Sequence, residues 1–406
     1  MKQMFRALAF APCLMLVSGL VAPLAGADAL PQVHVIGAAY AGDFASIPQR
    51  FPDVTEIDGF GSKTQAVDLL TQRVQTALSG LQPKYYSLTT DQISNLQTKD
   101  QAIDLALVIN REDVLQTSYD INGQMVYKVF AQVRAQALYF DVVQSAIVKA
   151  IPISFAQIAT FDHAPTHAEV LQCVDLALFG SDDRSGLLGQ FVNAVESSQA
   201  PSSATKFFRV TDVSVSEKAD DALGVGAGSS QIALTDLQNS IADTFAESLS
   251  AGQGVSFIPY AADYLVGNRI PLSLSNGSAF SLKLPSADYS VRLALEGAKK
   301  VLYGQSAAGK SLIYGALFKI DLFEPISGRH YLNADFKNGV VVKVPVTQTS
   351  DLQNDRFAYS DSIRELFERL SEAITAGGTD WSSKATSSPD INAQLQATKE
   401  LLQSCK

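Results

Sequence analysis

The chain repeats part of itself, and this repetition constrains its fold more than any other feature of the sequence. The stretch from Ser311 to Pro345, SLIYGALFKIDLFEPISGRHYLNADFKNGVVVKVP, resembles the earlier stretch from Met125 to Pro152, MVYKVFAQVRAQALYFDVVQSAIVKAIP. Each shows the alternation typical of long strands, and each ends in a β-branched run followed by a proline. The sequence therefore predicts two copies of one folding unit.

Both halves predict the same order of elements: an opening strand, a helix, a short strand, a buried strand, a hairpin and a closing helix. The first half has its opening strand at Gln32–Ala39, a loop at Asp43–Gly61 and a helix at Lys63–Gly80. Asn122-Gly123 marks its hairpin turn, and the second half opens with a strand at Phe207–Val215. The predicted fold class is α/β (α+β), with two tandem similar domains, each a mixed, mostly antiparallel sheet with packed helices.

Residues 1–27 are predicted to be a signal peptide. A short basic region with Lys2 and Arg6 precedes the apolar run Ala7–Val21, and Ala25-Gly26-Ala27 supplies the small residues that signal peptidase cleaves. Cys13 lies inside the apolar run, too early for a lipoprotein acylation site, so no lipid anchor is predicted. No later window is apolar for long enough to cross a bilayer. The mature chain is expected to be soluble, in the periplasm or secreted.

The mature chain is predicted to divide into two domains and a tail. Residues 28–200 form the first repeat domain and residues 201–378 the second, because the small, polar stretch Gln199–Thr205 separates the two runs of elements. Residues 379–406 form a Ser-rich tail that holds the single Trp381 and a short helix at Ile391–Gln403.

The composition excludes several classes of partner. The net charge is -10, and charged residues make up 18% of a chain that is 47% hydrophobic. Nucleic acids and anionic membrane surfaces are bound through clustered lysine and arginine, and the sequence has no basic run of five or more. A protein partner in the envelope is expected. The sequence predicts no catalytic residue, no metal ligand and no cofactor, and it leaves the oligomeric state open.

The segment Gly304-Gln305-Ser306-Ala307-Ala308-Gly309-Lys310-Ser311 matches the phosphate-loop pattern GxxxxGKS. In a true phosphate loop the backbone around Gly304 and Gly309 faces the phosphates, Lys310 adds charge, Ser311 binds magnesium, and a helix begins at the lysine. The residues after Ser311 alternate like a strand, and the repeat places these glycines at the hairpin turn of the first half. The two interpretations are a flexible hairpin turn, which the context favours, and a nucleotide or phosphate-ester site.

Two cysteines, Cys173 and Cys405, remain in the mature chain. In an exported protein such a pair can close one disulfide, which here would tie the carboxyl-terminal tail to the first half. The alternative is one buried thiol and one thiol in the tail, because sequence spacing does not show whether two sulfur atoms meet.

Histidines and glycines form two further patterns. His163 and His167 are four residues apart, a spacing that can place two metal ligands on one helix face, but Pro165 intervenes and a helix start in solvent is favoured. The cluster Gly224–Gly228 precedes a helix, but Ser229, Ser230 and Gln231 intervene where a dinucleotide fingerprint needs its third glycine. A mobile loop is the favoured interpretation there.

This order of elements in an exported chain resembles a group of envelope domains. Its members are the curli-secretion channel lipoprotein, the outer-membrane activators of penicillin-binding proteins, the amino-terminal domain of the Tol propeller protein and the middle domain of a flagellar ring protein. The resemblance covers residues 32–196 and 207–374, and this chain departs from the lipoprotein members in lacking a usable acylation cysteine.

The resemblance implies a non-enzymatic role in docking onto or assembling an envelope complex. The loops Asp43–Gly61 and Asp220–Ser230 and the hairpin tip Gly304–Lys310 are expected to contact the partner, because loops on a rigid scaffold usually carry such contacts. The alternative is an exported enzyme that binds a phosphate ester or nucleotide through Lys310 and Ser311.

Overall fold

The computed structural model describes residues 30–61, 68–90, 103–121, 123–182, 185–202, 204–224, 231–260, 267–307, 309–344 and 352–405. The predicted signal peptide with Cys13, the start of the helix predicted from Lys63, and most of a short helix predicted at Thr90–Leu96 lie outside these residues. Within the described part of the chain, no helix is long and apolar enough to cross a membrane.

The first half of the chain builds one sheet with helices on one of its faces. Its strands are β1 (Gln32–Ala41), β2 (Ser87–Thr89), β3 (Ile103–Ile121), β4 (Gln124–Asp141) and β5 (Ala146–Phe161). Its helices are α1 (Ile47–Arg50), α2 (Pro52–Asp58), α3 (Leu69–Leu78), α4 (His167–Phe179) and α5 (Gly186–Ser197). The strand order is β2-β1-β3-β4-β5, with β1 parallel to both neighbours and β3, β4 and β5 antiparallel. The inner face, which includes Val129, Ala131 and Val133, packs against the helices.

The second half repeats this topology. Its elements are β6 (Phe207–Val215), α6 (Glu217–Leu223), α7 (Gln231–Gln253), β7 (Ser256–Ile258), β8 (Arg269–Ser273), β9 (Ala279–Lys283), β10 (Tyr289–Ser306), β11 (Gly309–Glu324), β12 (Arg329–Val344), α8 (Leu352–Ala376), α9 (Asp380–Ala385) and α10 (Ile391–Ser404). The second sheet has the order β7-β6-β10-β11-β12, with the same parallel and antiparallel pairs as the first. The predicted fold class, with two similar mixed sheets and packed helices, is confirmed.

Three irregularities in the two sheets fall at matching positions, and β10 has one more, at Tyr303, that β3 lacks. The first strand of each sheet has one extra residue, Ile36 in β1 and Thr211 in β6, which is the fifth residue of the strand in both cases. The third strand of each has another at Asn110 and Glu296. The last strand has one at Val148 and Tyr331.

β-Bulges bend strands at defined places and are conserved within protein families. Three bulges at matching positions therefore indicate that the two halves are copies of one folding unit.

The matching bulges also correct the alignment expected from sequence. Pairing across the strands makes Ile153 equivalent to Phe336, and therefore Pro152 equivalent to Asp335. The sequence echo had instead matched Pro152 with Pro345. That prediction was wrong because alternation repeats every two residues, so a strand pattern fits several registers equally well.

Two local predictions also differ from the structure. The loop expected at Asp43–Gly61 contains the helices α1 and α2, because Pro48 and Pro52 lie in the first turn of each, where a missing N–H costs nothing. The sequence of residues 289–303 predicts two separate strands, Tyr289–Leu295 and Lys299–Tyr303, but β10 is one strand that continues through the bulge at Glu296.

The hairpin β8–β9 lies in the second half of the sequence but joins the first sheet. Tyr40 of β1 pairs with Ser273 of β8, and Ala146 of β5 pairs with Lys283 of β9. The hairpin buries the outer face of the first sheet under a third hydrophobic cluster, which includes Leu272. The predicted division at residues 200/201 therefore does not separate the two sheets, and residues 31–406 form one compact unit.

The two repeats stack in one direction. Helices α7 and α8 pack their apolar sides on the inner face of the second sheet, through residues such as Phe245 and Phe367. The opposite side of α7 contacts β5 of the first sheet. The order of layers is thus the helices of the first repeat, the first sheet, the helices α7 and α8, and the second sheet.

Candidate functional site

Each sheet extends beyond its base as a three-stranded arm. The first arm is formed by residues 111–121, 124–134 and 154–161, and the second arm by residues 297–306, 309–317 and 337–344. The bulges at Asn110 and Glu296 mark where the arms begin. We compare their outer faces because they occupy equivalent positions in the two repeats.

The outer face of the first arm carries a cluster of charges that contacts α7. Arg134 is only 5% exposed, and its guanidinium donates to Glu247 at 2.7 Å, with Asp113 at 3.9 Å from Nε. Ser154 donates to the other oxygen of Glu247 at 2.8 Å. Arg111 donates to both oxygens of Asp113 at 2.9 Å. The two repeats are therefore joined by basic side chains from a sheet and carboxylates from a helix.

Burial controls the protonation of this cluster. Burial raises the pKa of Asp243, on α7, to about 7, although the positive charge of Arg134 opposes the rise. For Arg134 burial would lower the pKa, but Glu247, Asp243 and Asp113 outweigh it, so its pKa is raised. Arg134, Asp243 and Glu247 line a cleft with room for about 10 Å³, which is roughly the space that one water molecule needs. The guanidinium stays charged and holds the carboxylates together.

An apolar row crosses the first arm beyond the charges. Leu115, Phe130 and Ile158 lie side by side on adjacent strands. The ring of Phe130 lies 5.3 Å from that of Phe357 on α8, and the ammonium of Lys128 lies 4.7 Å from the centre of the Phe357 ring. The first arm thus contacts the second repeat through basic residues and Phe130, whereas the two ends of the row stay exposed, Leu115 by 50% and Ile158 by 53%.

The second arm presents an equivalent row, and the side chains at its two ends are exposed. Its inner face packs against α8, where Lys300 and Tyr314 both donate to Asp355 at 2.8 and 2.6 Å. Alternate residues therefore point outward, and Val301, Ile313 and Val341 form a row in the register of Leu115, Phe130 and Ile158. Val301 is 40% exposed and Val341 is 55% exposed.

Lysines surround this second row. Lys299, Lys337 and Lys343 are exposed and share its face of the sheet, as their cross-strand partners Gly315, Leu317 and Ser311 show. Among the residues that the structure describes, none of these lysines forms an ion pair. We call this surface the arm face, formed by Lys299, Val301, Ile313, Leu317, Lys337, Val341 and Lys343.

At their bases, the outer faces of the two sheets differ in burial and polarity. The outer base of the first sheet is apolar and buried under β8–β9, with Ala106, Val108, Leu138 and Ala150 in one cluster. The equivalent residues of the second sheet are Arg292, Ala294, Asp321 and Asn333. The base of the second sheet is therefore a polar surface.

The phosphate-loop match lies at the tip of the second arm. Gly304 is in β10, and Gly309, Lys310 and Ser311 begin β11, so the favoured prediction of a hairpin turn is confirmed. Lys310 pairs with Gln305 and Val344 in the ladder, and no helix begins at it. A phosphate loop needs the converging N–H groups of a helix start, which a β-ladder does not provide.

The two cysteines lie in different cores. Cys173 on α4 belongs to the hydrophobic cluster of the first sheet, whereas Cys405, after α10, belongs to that of the second. Both are buried free thiols. The structure therefore corresponds to the alternative of two thiols, with the difference that the tail thiol is also buried, since α10 packs along β12.

The histidine pair does not converge on one point. His163 contacts Asp162 and Glu169 at 2.8 and 3.1 Å, and these carboxylates raise its pKa, whereas His167 contacts Glu56 at 2.9 Å. The described residues contain no group of three side chains suited to a metal ion. Of the glycine cluster, Gly224 caps α6 in the left-handed region, and residues 225–230 lie outside the described part of the chain.

The inter-repeat cluster and the arm face were both missed from the sequence. Arg134 occupies an ordinary outward position of an alternating strand, where a charged residue usually means solvent. One signal was available: α7 contains Asp236, Asp243 and Glu247 and has no lysine or arginine. The absence of basic residues from α7 predicts that it packs against a basic surface, and Arg111 and Arg134 on the outer face of the first sheet supply one.

Comparisons with known proteins show limited likeness. No family model and no curated protein matches the chain. Among solved structures, a minor lipoprotein from Acinetobacter baumannii is 11% identical, over 42% of this chain and 94% of that chain, with a TM-score of 0.21. A hypothetical protein from Chlamydia trachomatis is 9% identical, over 42% and 99%, with a TM-score of 0.24.

A putative neuraminyllactose-binding hemagglutinin homolog from Helicobacter pylori is 9% identical, over 43% of this chain and 88% of that chain, with a TM-score of 0.24. We draw no functional conclusion from scores at this level. The resemblance to the curli-secretion group stays a prediction.

Proposed function

We propose that this chain is an exported, non-enzymatic binding or assembly protein of the cell envelope, and that it binds an acidic protein partner through the arm face. The observation that carries the proposal is the arm face itself. Exposed valines beside lysines make a surface with both apolar area to bury and a charge to match. Apolar side chains exposed in one place, with polar residues around them, are typical of interaction sites.

The internal contact of the first arm supports this choice of partner. There the equivalent outer face binds a helix that carries only negative charge, through Arg134 and Glu247. Complementary charge mainly raises the rate of association and selects the partner, while apolar contacts hold it. An acidic, helical protein surface therefore fits the arm face better than a neutral one.

Export is supported by the sequence of residues 1–27, with its basic start, apolar run and small residues. That segment supports the proposed placement in the periplasm. The alternative, a phosphate-ester enzyme, rests on the sequence pattern alone, because Gly304, Gly309, Lys310 and Ser311 lie in a β-hairpin.

The proposal predicts that one substitution removes partner capture. Tagged wild-type chain, the Val341→Glu variant and the Val143→Glu control should be expressed in the cells that naturally make the chain. Val143 is 71% exposed in the turn between β4 and β5, far along the strands from either arm tip, so both substitutions place a charge on an exposed valine. Capture from envelope extracts should fall at least tenfold for Val341→Glu and stay unchanged for Val143→Glu.

Equal capture by all three chains would contradict the arm face as the site. The same preparation addresses the alternative: titration calorimetry with Mg·ATP should give no heat of binding, with or without Lys310→Ala. A Mg·ATP affinity that Lys310→Ala abolishes would replace this proposal by the enzyme interpretation.

A further inference from the structure

Two kinds of surface meet between the repeats, the outer face of an arm and a layer of helices. Each kind occurs a second time in the molecule. Arg134 and Phe130 on the outer face of the first arm contact the helices of the second repeat. The second arm offers the equivalent face, and the first repeat offers the equivalent helical layer at the opposite end of the stack. One end of the stack therefore presents an arm face, and the other end presents a helical layer.

Charge complementarity connects these two ends. Helices α2, α4 and α5 of the first repeat contain no lysine or arginine, as is also true of α7, whereas α1 and α3 carry one arginine each, Arg50 and Arg73. Apart from the buried Asp58, the carboxylates of α2, α4 and α5 are Asp53, Glu56, Glu169, Asp175 and Glu196, and they outnumber the two arginines. The arm face has Lys299, Lys337 and Lys343. The ends of the molecule therefore have opposite charge, in the same sense as the sheet and helix that meet inside it.

The register of the arms adds an apolar contact at the equivalent place. Inside the molecule the row of Leu115, Phe130 and Ile158 meets Phe357 through its central member. In the second arm the row of Val301, Ile313 and Val341 is at the same distance beyond the bulge. A helix placed on the second arm as α8 is placed on the first would lie against this row.

We propose that the partner of the arm face is a second copy of this chain, whose first-repeat helical layer packs on the second arm. This inference rests on the proposed function, since it names the partner of that same site. The contact joins different surfaces of two identical chains, so each new copy again offers a free arm face. Assembly is therefore not limited to a dimer, and it continues until a ring closes or a filament forms.

Sedimentation velocity of the full mature chain tests the inference. Between about 1 and about 100 µM the wild-type chain should shift from monomer to larger species, because association follows mass action. Raising the salt from about 0.05 M to about 0.5 M should reverse the shift, since charges beyond a few ångströms are screened there. Val341→Glu should stay monomeric, and the exposed-site control Val143→Glu should behave as wild type. Circular dichroism melts should show that all variants are folded.

Two complementary variants distinguish this geometry from a symmetric dimer. A chain with Lys337→Glu and Lys343→Glu keeps only its helical layer, and a chain with Glu56→Lys and Glu196→Lys keeps only its arm face. Each alone should be monomeric, and their mixture should form a one-to-one dimer that grows no further. Self-association of the second variant alone would indicate contact between two arm faces and overturn the inference.

Two other outcomes would also overturn it. The first is a wild-type chain that stays monomeric at about 100 µM and low salt. The second is a monomeric chain that binds vesicles of phosphatidylglycerol and loses this binding in Val341→Glu, because the arm face would then bind lipid. If the chain is monomeric and Val341→Glu still removes capture of another envelope protein, the proposed function stands and only the identity of the partner is wrong.

Discussion

Replacing Arg134 by methionine should lower the free energy of unfolding by about 3–5 kcal/mol. The substitution keeps much of the apolar volume but removes the cation between Glu247, Asp113 and Asp243. Removing one partner of a buried ion pair leaves the other charge buried without compensation, which is the costly case. Urea unfolding of the wild-type and variant chains measures the difference.

The loss should also depend on pH. Asp243 has a pKa of about 7 in the folded protein, raised by burial, and loses the opposing effect of Arg134 in the variant. At pH 5 this carboxyl is protonated in the folded state, so the penalty of an uncompensated charge is smaller. At pH 8 the carboxyl either ionises in place or stays protonated while the unfolded chain is ionised, and both lower the stability of the folded state. The destabilisation should therefore be larger at pH 8 than at pH 5.

Arg364→Met is the matched control. Arg364 forms ion pairs with Glu368 and Asp361 on the surface of α8 and is half exposed. Exposed pairs on a helix contribute only about 0.3–0.5 kcal/mol, so this variant should unfold close to wild type. A similar loss for both arginines would show that the inter-repeat cluster is not a buried junction.

Replacing Asp58 by alanine should cost about 3 kcal/mol or more, because the change leaves several buried donors without an acceptor. The carboxylate of Asp58 accepts from the hydroxyl of Tyr40 at 2.6 Å, the N–H of Leu70 at 2.7 Å and the hydroxyl of Ser275 at 3.0 Å. Ser275 lies between β8 and β9, so the contact fixes this hairpin to the first sheet.

The loss should be partly local. Limited proteolysis of Asp58→Ala should cleave near residues 267–285 faster than in wild type, because the turn between β8 and β9 loses its anchor. Asp58→Asn keeps an acceptor for Leu70 and should lose less stability than the alanine variant. If asparagine and alanine have equal effects, the hydrogen bonds to Asp58 do not hold the hairpin.

The sequence predicted the repeated topology because strand alternation, Asn122-Gly123 and helix stops such as Gly180 are local signals. Helix α4 shows this well: Thr166 and Glu169 form a capping box at its start and Gly180 ends it. The order of elements could therefore be read in both halves. The register could not be read, because a pattern that alternates every two residues fits several registers. The sequence therefore matched Pro152 with Pro345, whereas the strand pairing makes Pro152 equivalent to Asp335.

The contacts between the repeats could not be predicted, for physical reasons. The hairpin β8–β9 has five-residue strands, one of which contains Pro271, and its partners lie far away in sequence. Arg134 and Glu247 each look like surface residues in their own element, and only the stacking of a sheet on a helix makes them neighbours. In the sequence, the second arm stands out only by the glycines of its phosphate-loop pattern. Its exposed row of Val301, Ile313 and Val341 depends on which face of the sheet the helices cover, and the sequence does not give this.

The rate of lysine acetylation in the dilute, high-salt protein tests the central claim, that the second repeat covers the first arm and leaves the arm face free. Lys128, over the ring of Phe357, should react several-fold more slowly than Lys337 and Lys343, which should match the exposed Lys218 of α6. Equal rates for Lys128 and Lys337, or slower reaction of Lys337, would contradict the arrangement of the two repeats described above.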